Sequence, residues 1–205
     1  MRHGRRDKQE TREAILKHAA RRFRRDGIAA VGVRSLMAEA GLTHGGFYSH
    51  FASRADLVAA TLGYAAQDTL DYFHAAIAAA PEDAKLEALL RAYLRPLHRD
   101  HPAFGCAVSA LAPEIAREDV ATRDRFAARN QPIVHLIADH LPAGGSGEER
   151  IARASLVFAA MVGILQIMRI ETDAAAAARL ARAGRAAARD IAMAAWPDAG
   201  AEPDA

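Results

Sequence analysis

Between residues 33 and 54 the chain gathers side chains suited to holding a polyanion. Arg34 and Arg54 carry permanent positive charge, Tyr48 a hydroxyl, His44 and His50 imidazoles, and Thr43 a short hydroxyl just ahead of them. Gly45 stands among them with no side chain at all. Such groups donate to phosphate oxygens, and a small residue lets a backbone come close to base edges. No catalytic set accompanies them. There is no nucleophile elbow and no two-histidine metal helix, and the glycine-rich stretch 141–147 lacks the Lys-Ser/Thr of a phosphate loop. His98 and His101 lie three apart without a third ligand in a recognised pattern, so they read as a solvated helix end. No enzyme activity, metal or cofactor is expected.

These residues need two short helices to present them. Val33, Leu36, Met37 and Ala40 recur at helical spacing and can lay one apolar face on a core. Gly41 then suits a left-handed helix terminus, because it has no Cβ to clash. Leu42 can plug the core under the turn, and Thr43 can cap a second helix from His44 to about His50. Phe47 and Phe51, four apart, anchor that helix inward and leave His44, Gly45 and Tyr48 outside. Two short helices around a glycine-containing turn are the parts of a DNA-reading helix-turn-helix. The competing reading for Tyr48 and His50 is packing within the small head.

The flanks fit a support for this unit. Asp7 with Glu10 reads as a capping box opening a first helix. Ile15, Leu16, Ala19, Ala20 and Phe23 form its apolar stripe, Gly27 closes it, and Arg21, Arg22, Arg24 and Arg25 line the opposite, solvated face. Met1 to Arg6 reads as a mobile basic arm. On the far side Ser53 and Asp56 open a long helix running to about Ala79, with Arg54 beside its terminal amides.

The stretch resembles the DNA-binding domain of the TetR family of bacterial transcriptional regulators. The resemblance rests on Gly27, Ala38-Glu39-Ala40-Gly41-Leu42-Thr43, Phe47-Tyr48, His50-Phe51 and Ser53-Arg54. It covers roughly residues 8–60 in specific motifs, and the remainder only in length and helical layout. Gly32, Met37 and Gly46 depart from the family pattern, which favours Thr or Ser, Ala, and Thr, Ser or Ala there. The resemblance implies a homodimer on a near-palindromic double-stranded DNA operator, with Arg34, Tyr48, His50 and Arg54 on phosphates. Thr43 would cap the reading helix, and His44 and Gly45 would face bases. It further implies a small-molecule effector that releases DNA, with repression as the family's usual outcome.

Charge agrees with a phosphate-binding head. Residues 1–54 carry 12 Lys or Arg against 5 Asp or Glu, whereas residues 55–205 carry 15 against 20. Hydrophobic residues make up 51% and aromatics 6%, which with abundant alanine favours close-packed helices. No run of about 18 consecutive apolar residues indicates a membrane span. A single cysteine, Cys106, fits a reducing cytoplasm.

The expected fold is therefore all-α, a three-helix DNA-binding head (residues 1–54) followed by a helical ligand-binding and dimerisation domain (55–197) and a short disordered tail (198–205). In the second domain Pro81 opens a helix whose core face is Leu86, Leu89, Leu90, Tyr93, Leu94 and Leu97, stopped or kinked at Pro96. Two long helices follow the loop at 141–147. Leu180, Ala183, Ala187, Ile191 and Ala194 form the apolar side of the last one, and Arg179, Arg182, Arg185 and Arg189 its solvated side. These two helices can form a four-helix bundle with a twin. Candidate effector contacts are Tyr72, Phe73, Tyr93, Phe104, Phe158, Met161 and Gln166, against the alternative of ordinary core. Cys106, at a helix start, reads either as an electrophile or oxidant sensor or as a small apolar filler. A helical carrier or enzyme without DNA is the remaining alternative.

Overall fold

The computed structural model describes residues 2–196, with side chains from Lys8 onward. Among the described residues every regular element is helical. The chain divides into two compact units, one of residues 1–72 with 100–131, the other of residues 73–99 with 132–205. The unit that holds the head is thus larger than residues 1–54, because later helices complete its core.

In the first unit α1 (Arg2–Asp26) buries Ile15, Leu16, Ala19, Ala20 and Phe23. It starts ahead of Asp7, so the Asp7–Glu10 pair lies inside the helix and does not open it. The side chains of the expected basic arm, like the expected tail, lie outside the described residues. Gly27, with φ of +87°, turns the chain out of α1 as its N–H donates to Phe23 O at 2.8 Å. After α2 (Val33–Glu39) and a 3₁₀ reading helix (His44–Ser49) comes α3 (Arg54–Ala78). Ser53 and Asp56 cap α3 reciprocally: Ser53 Oγ accepts from Asp56 N–H, and Asp56 accepts from Ala52 N–H, both at 3.1 Å. The head core then recruits α6 (Ala107–Ile115). Its residues Ala107, Leu111 and Ile115, four apart, join the cluster that holds Phe47 and Phe51. Burying each large apolar side chain contributes about 1.5–3 kcal/mol, so α6 is part of what folds the head.

Arg24 corrects the expected solvated face of α1. It is 5% exposed; its guanidinium donates to Gly105 O at 2.5 Å and Ala20 O at 3.1 Å, and pairs with Asp68 at 2.7 Å. A buried arginine is tolerated here because its N–H groups find acceptors and one a charge.

The second unit contains the end of α3, α4 (Lys85–Tyr93), α5 (Pro96–Asp100), the later part of α7 (Val120–Asp139), α8 (Gly147–Ile170) and α9 (Ala174–Met193). Pro81 caps a short 3₁₀ turn (Glu82–Ala84) that leads into α4. Pro96 begins α5 as a separate helix, which takes Leu97 off the α4 face and leaves it 52% exposed. Ser146 and Glu149 form a capping box at the start of α8.

α9 packs by a different side from the expected one. Its buried residues are Ala177, Ala181, Gly184, Ala188 and Ala192, while Ala183, Ala187 and Ala194 are exposed and Leu180 and Ile191 half-buried. A Cβ on Gly184 would lie 2.6 Å from Ile164 Cγ2, so this glycine sets how closely α8 and α9 approach. α8 likewise buries Val157, Phe158, Met161, Leu165 and Met168 yet exposes Leu156, Ala159, Gly163, Ile167 and Ile170. Both helices therefore carry a second apolar stripe at spacings of three and four. Arg185, expected in solvent, is half-buried, and its guanidinium lies 3.4 Å from Leu94 O.

Candidate nucleic-acid interface

The turn between α2 and the reading helix is built by backbone hydrogen bonds. Leu42 N–H donates to Met37 O at 2.8 Å and Gly41 N–H to Ala38 O at 3.0 Å, with Gly41 at φ +71°. This pair of bonds satisfies two otherwise orphaned carbonyls of α2 and requires a left-handed residue between them. Thr43 then caps the next helix: its hydroxyl accepts from Gly46 N–H at 3.3 Å. α2 begins at Gly32 without a side-chain cap, so its first amides have no such partner.

Phe47 and Phe51 fix the reading helix to the core. They are 2% and 1% exposed, and their rings stack at 5.6 Å. The opposite side is polar and open. Arg34, Thr43, His44, Gly45, Tyr48, Ser49 and Arg54 are all exposed. Tyr48, at 69% exposed, stands edge-on to Phe47 at 5.2 Å and to His44 at 6.4 Å. An exposed tyrosine held upright by a buried ring offers its hydroxyl to solvent at small entropic cost. Two family departures meet beneath this surface: a Cβ on Gly46 would lie 3.9 Å from Met37 Cε, an ordinary contact, so the long methionine reaches under a position that carries no side chain.

His50 and Arg54 are more constrained. His50 is half-buried, with Nδ1 shielded from solvent and without a hydrogen-bond partner. Burial first, then the positive charges of Lys8 and Arg12, push its pKa below the ordinary value and favour the neutral ring. Arg12 also lies over the Phe51 ring at 5.0 Å. Lys8 and Arg12 thus join this edge of the head, which the spacing of the helix-turn-helix residues does not reveal. Arg54 donates through Nη2 to Ile28 O at 2.7 Å, which fixes its guanidinium beside the α1–α2 loop. α1 and α2 are joined by ion pairing of Arg22 with Glu39, and Arg22 also pairs with Asp26 at 2.5 Å. Arg25 and then Arg22 hold the Asp26 carboxyl down at about 2.

The candidate effector residues fall into both units. In the second, Phe73 and Tyr93 sit 5.7 Å apart, Tyr93 and Phe158 6.2 Å, and Met161 is fully buried. Gln166 is half-buried, with Oε1 3.5 Å from Arg169 Nη1. In the first, Tyr72 is half-buried and Phe104 is 65% exposed beneath Arg21 at 4.8 Å. Cys106 is 2% exposed at the N-cap of α6. Two open grooves of about 620 and 540 Å³, one in each unit, are lined by none of these eight residues. His98 is buried, with Nδ1 2.7 Å from Tyr93 O, which corrects its reading as a solvated helix end.

Residues 15–61 match the family model described as "Bacterial regulatory proteins, tetR family". No curated protein matches the chain. Among solved structures, a TetR transcriptional regulator from Chloroflexus aurantiacus is similar at 24% identity and TM-score 0.72, over 88% of this chain and 95% of that one. Escherichia coli NemR in its reduced form is similar at 16% identity and TM-score 0.73, over 91% and 100%. FadR of Bacillus subtilis, in complex with stearoyl-CoA, is similar at 13% identity and TM-score 0.65, over 90% and 99%. At these identities the likeness to solved structures is one of fold.

Proposed function

We propose, from its membership of the tetR family of bacterial regulatory proteins, that this chain is a homodimeric transcriptional repressor released from its operator by a small molecule. The observation that carries the reading is the exposed set of Thr43, His44, Gly45 and Tyr48 on and at the cap of a helix pinned by two buried phenylalanines, flanked by exposed Arg34 of α2 and Arg54 of α3. A reading helix of six residues holds DNA weakly alone. A second copy one helical turn of duplex away supplies the rest and calls for a near-palindromic operator.

The unpartnered stripes of α8 and α9 support the twin. In the most apolar 18-residue window of α8 only 33% is buried within the chain. That helix is also long and apolar enough to cross a membrane by length and composition. We read it instead as an interface helix in a cytoplasmic protein, because the exposed apolar residues of α8 and α9 share the heptad-like spacing of a four-helix bundle. The Phe73–Tyr93–Phe158 cluster is the favoured lining of an effector site. Burial of Cys106 favours its role as filler over a sensor, since thiol reactivity needs access.

The test is binding of the purified protein to the duplex flanking its own coding region, across a salt series. Expected is a specific complex whose affinity falls with salt by a slope of about 0.9 per phosphate contact. Tyr48→Ala should weaken it without lowering thermal stability. Absence of any specific complex at low salt, or an unaffected Tyr48→Ala, would count against the reading.

A further inference from the structure

The loop between α1 and α2 is held from both sides. Glu114, near the end of α6, accepts through Oε2 from Ile28 N–H at 2.7 Å and from Ala29 N–H at 3.3 Å. Its other oxygen, Oε1, would lie 2.9 Å from a Cβ on Gly27, so the carboxylate sits against a position that carries no side chain. The same Ile28 offers its carbonyl to Arg54 Nη2 at 2.7 Å. One peptide segment thereby links the carboxylate of α6 to the guanidinium at the first residue of α3. Arg54 follows the reading helix by only a few residues and is exposed. The other end of α6 is tied down as well, through Gly105 O and the buried Arg24.

We infer that Glu114 is a positioning residue for DNA contact: through Ile28 it fixes Arg54 in the orientation that meets a backbone phosphate. The inference rests on the regulator reading given above. Glu114 touches no DNA in this scheme. It accepts from two amides of the loop whose Ile28 carbonyl orients Arg54. An arginine pre-set in this way loses less side-chain freedom when it meets phosphate. Glu114 also makes the position of α6 legible to the reading unit, because any shift of α6 must stretch the bonds to Ile28 and Ala29.

The sign of the expected effect separates this from simple electrostatics. Glu114→Ala removes both acceptor oxygens, whereas a glutamine oxygen could still accept from the two amides. It also removes a negative charge, which by Coulomb's law alone would strengthen binding to a polyanion. Loss of the fixed Arg54 should instead weaken it. The experiment selects an operator from a random duplex pool with the wild-type full-length protein. It then measures Glu114→Ala, Arg54→Gln and the double variant across salt, with thermal unfolding alongside. Expected for Glu114→Ala is about tenfold weaker binding, with a salt slope smaller by about 1, as for the loss of one phosphate contact. Arg54→Gln should show the same slope change, and the double variant should be no weaker than Arg54→Gln. A merely structural role would lower the melting temperature and leave the slope alone. Equal or tighter binding by Glu114→Ala, an unchanged slope, or losses that multiply in the double variant would overturn the inference. Amide exchange of Ile28 and Ala29 in the DNA-free protein should be about tenfold faster in Glu114→Ala, and unchanged exchange would overturn it independently. Failure of the wild type to select any duplex would instead bring down the regulator reading, and the positioning role with it.

Discussion

Two adjacent glycines in the reading helix give a test in which stability and DNA affinity separate. Neither Gly45 nor Gly46 has positive φ, so alanine can adopt the backbone of either. A Cβ on Gly46 would sit 3.6 Å from Thr43 Oγ1 and 3.9 Å from Met37 Cε, both ordinary contacts. A Cβ on Gly45 would meet nothing within 4 Å. Alanine at a compatible glycine position stabilises by about 0.4–1 kcal/mol, mainly by restricting the unfolded chain. For a protein of this size that corresponds to about 1–4 °C in Tm. Gly45→Ala and Gly46→Ala should both show this gain in thermal unfolding. Their DNA affinities should diverge. The Gly46 methyl points toward Met37 and should leave operator binding intact. The Gly45 methyl enters the space proposed for base edges and should weaken binding about tenfold, roughly 1.4 kcal/mol. Equal affinity of Gly45→Ala and wild type would refute the placement of Gly45 against the bases. A fall in Tm for Gly46→Ala would refute the account of how Met37 and Gly46 share space.

Other expectations concern stability and assembly. The Asp26 carboxyl, held at about 2 by Arg25 and Arg22, should titrate there by NMR, and Arg25→Gln should move it back toward the ordinary carboxylate range. Because its folded pKa is depressed, its contribution to stability is present above the unfolded value near 4 and is lost as pH falls toward 2. Gly184→Ala should lower stability by about 1–3 kcal/mol despite alanine's better helix propensity, since its Cβ collides with Ile164. Urea unfolding checks this, and Ile164→Ala should recover part of the loss. Gly163→Arg adds a side chain where nothing lies within 4 Å of the Cβ, so the subunit should fold unchanged. Sedimentation should then show monomer, because the arginine blocks approach of a twin along the exposed α8 stripe.

The legible parts of this chain are those whose cause is local. Gly41, Thr43 and the Ser53–Asp56 pair act on backbone groups within a few residues, and each does in the structure what its type and spacing predict. Phe47 and Phe51 likewise point inward, because Phe51 N–H donates to Phe47 O at 3.0 Å and this single α-type turn past the 3₁₀ helix brings residues four apart to the same side. What escaped depends on partners far along the chain. Arg24 looks like one more solvated arginine until the loop before α6 supplies Gly105 O, 81 residues on. Glu114 has no sequence signal as a clamp, since the amides it binds are 86 and 85 residues away. α9 misleads for a different reason. Its alanines ring the helix, so burial within the chain follows Ala177, Ala181 and Gly184 while Ala183 and Ala187 stay outside. Side-chain size, and not apolarity, decided which stripe could meet α8 closely.

Trp196 is the chain's single tryptophan. Its indole donates to Ala143 O at 3.2 Å and lies under the Arg153 guanidinium at 3.5 Å. It rests on Gly144 and Gly145, where a Cβ would come within 2.6 and 2.5 Å of the ring. Tryptophan emission, excited beyond the tyrosine absorption band, is therefore a spectroscopic beacon for one corner of the second unit, blind to the reading helix and its Tyr48. Denaturation followed by fluorescence would report that corner alone, whereas far-ultraviolet circular dichroism would sum both units. Curves that superimpose would mean that the chain melts as a single cooperative body, and curves that part would time the loosening of one unit against the other.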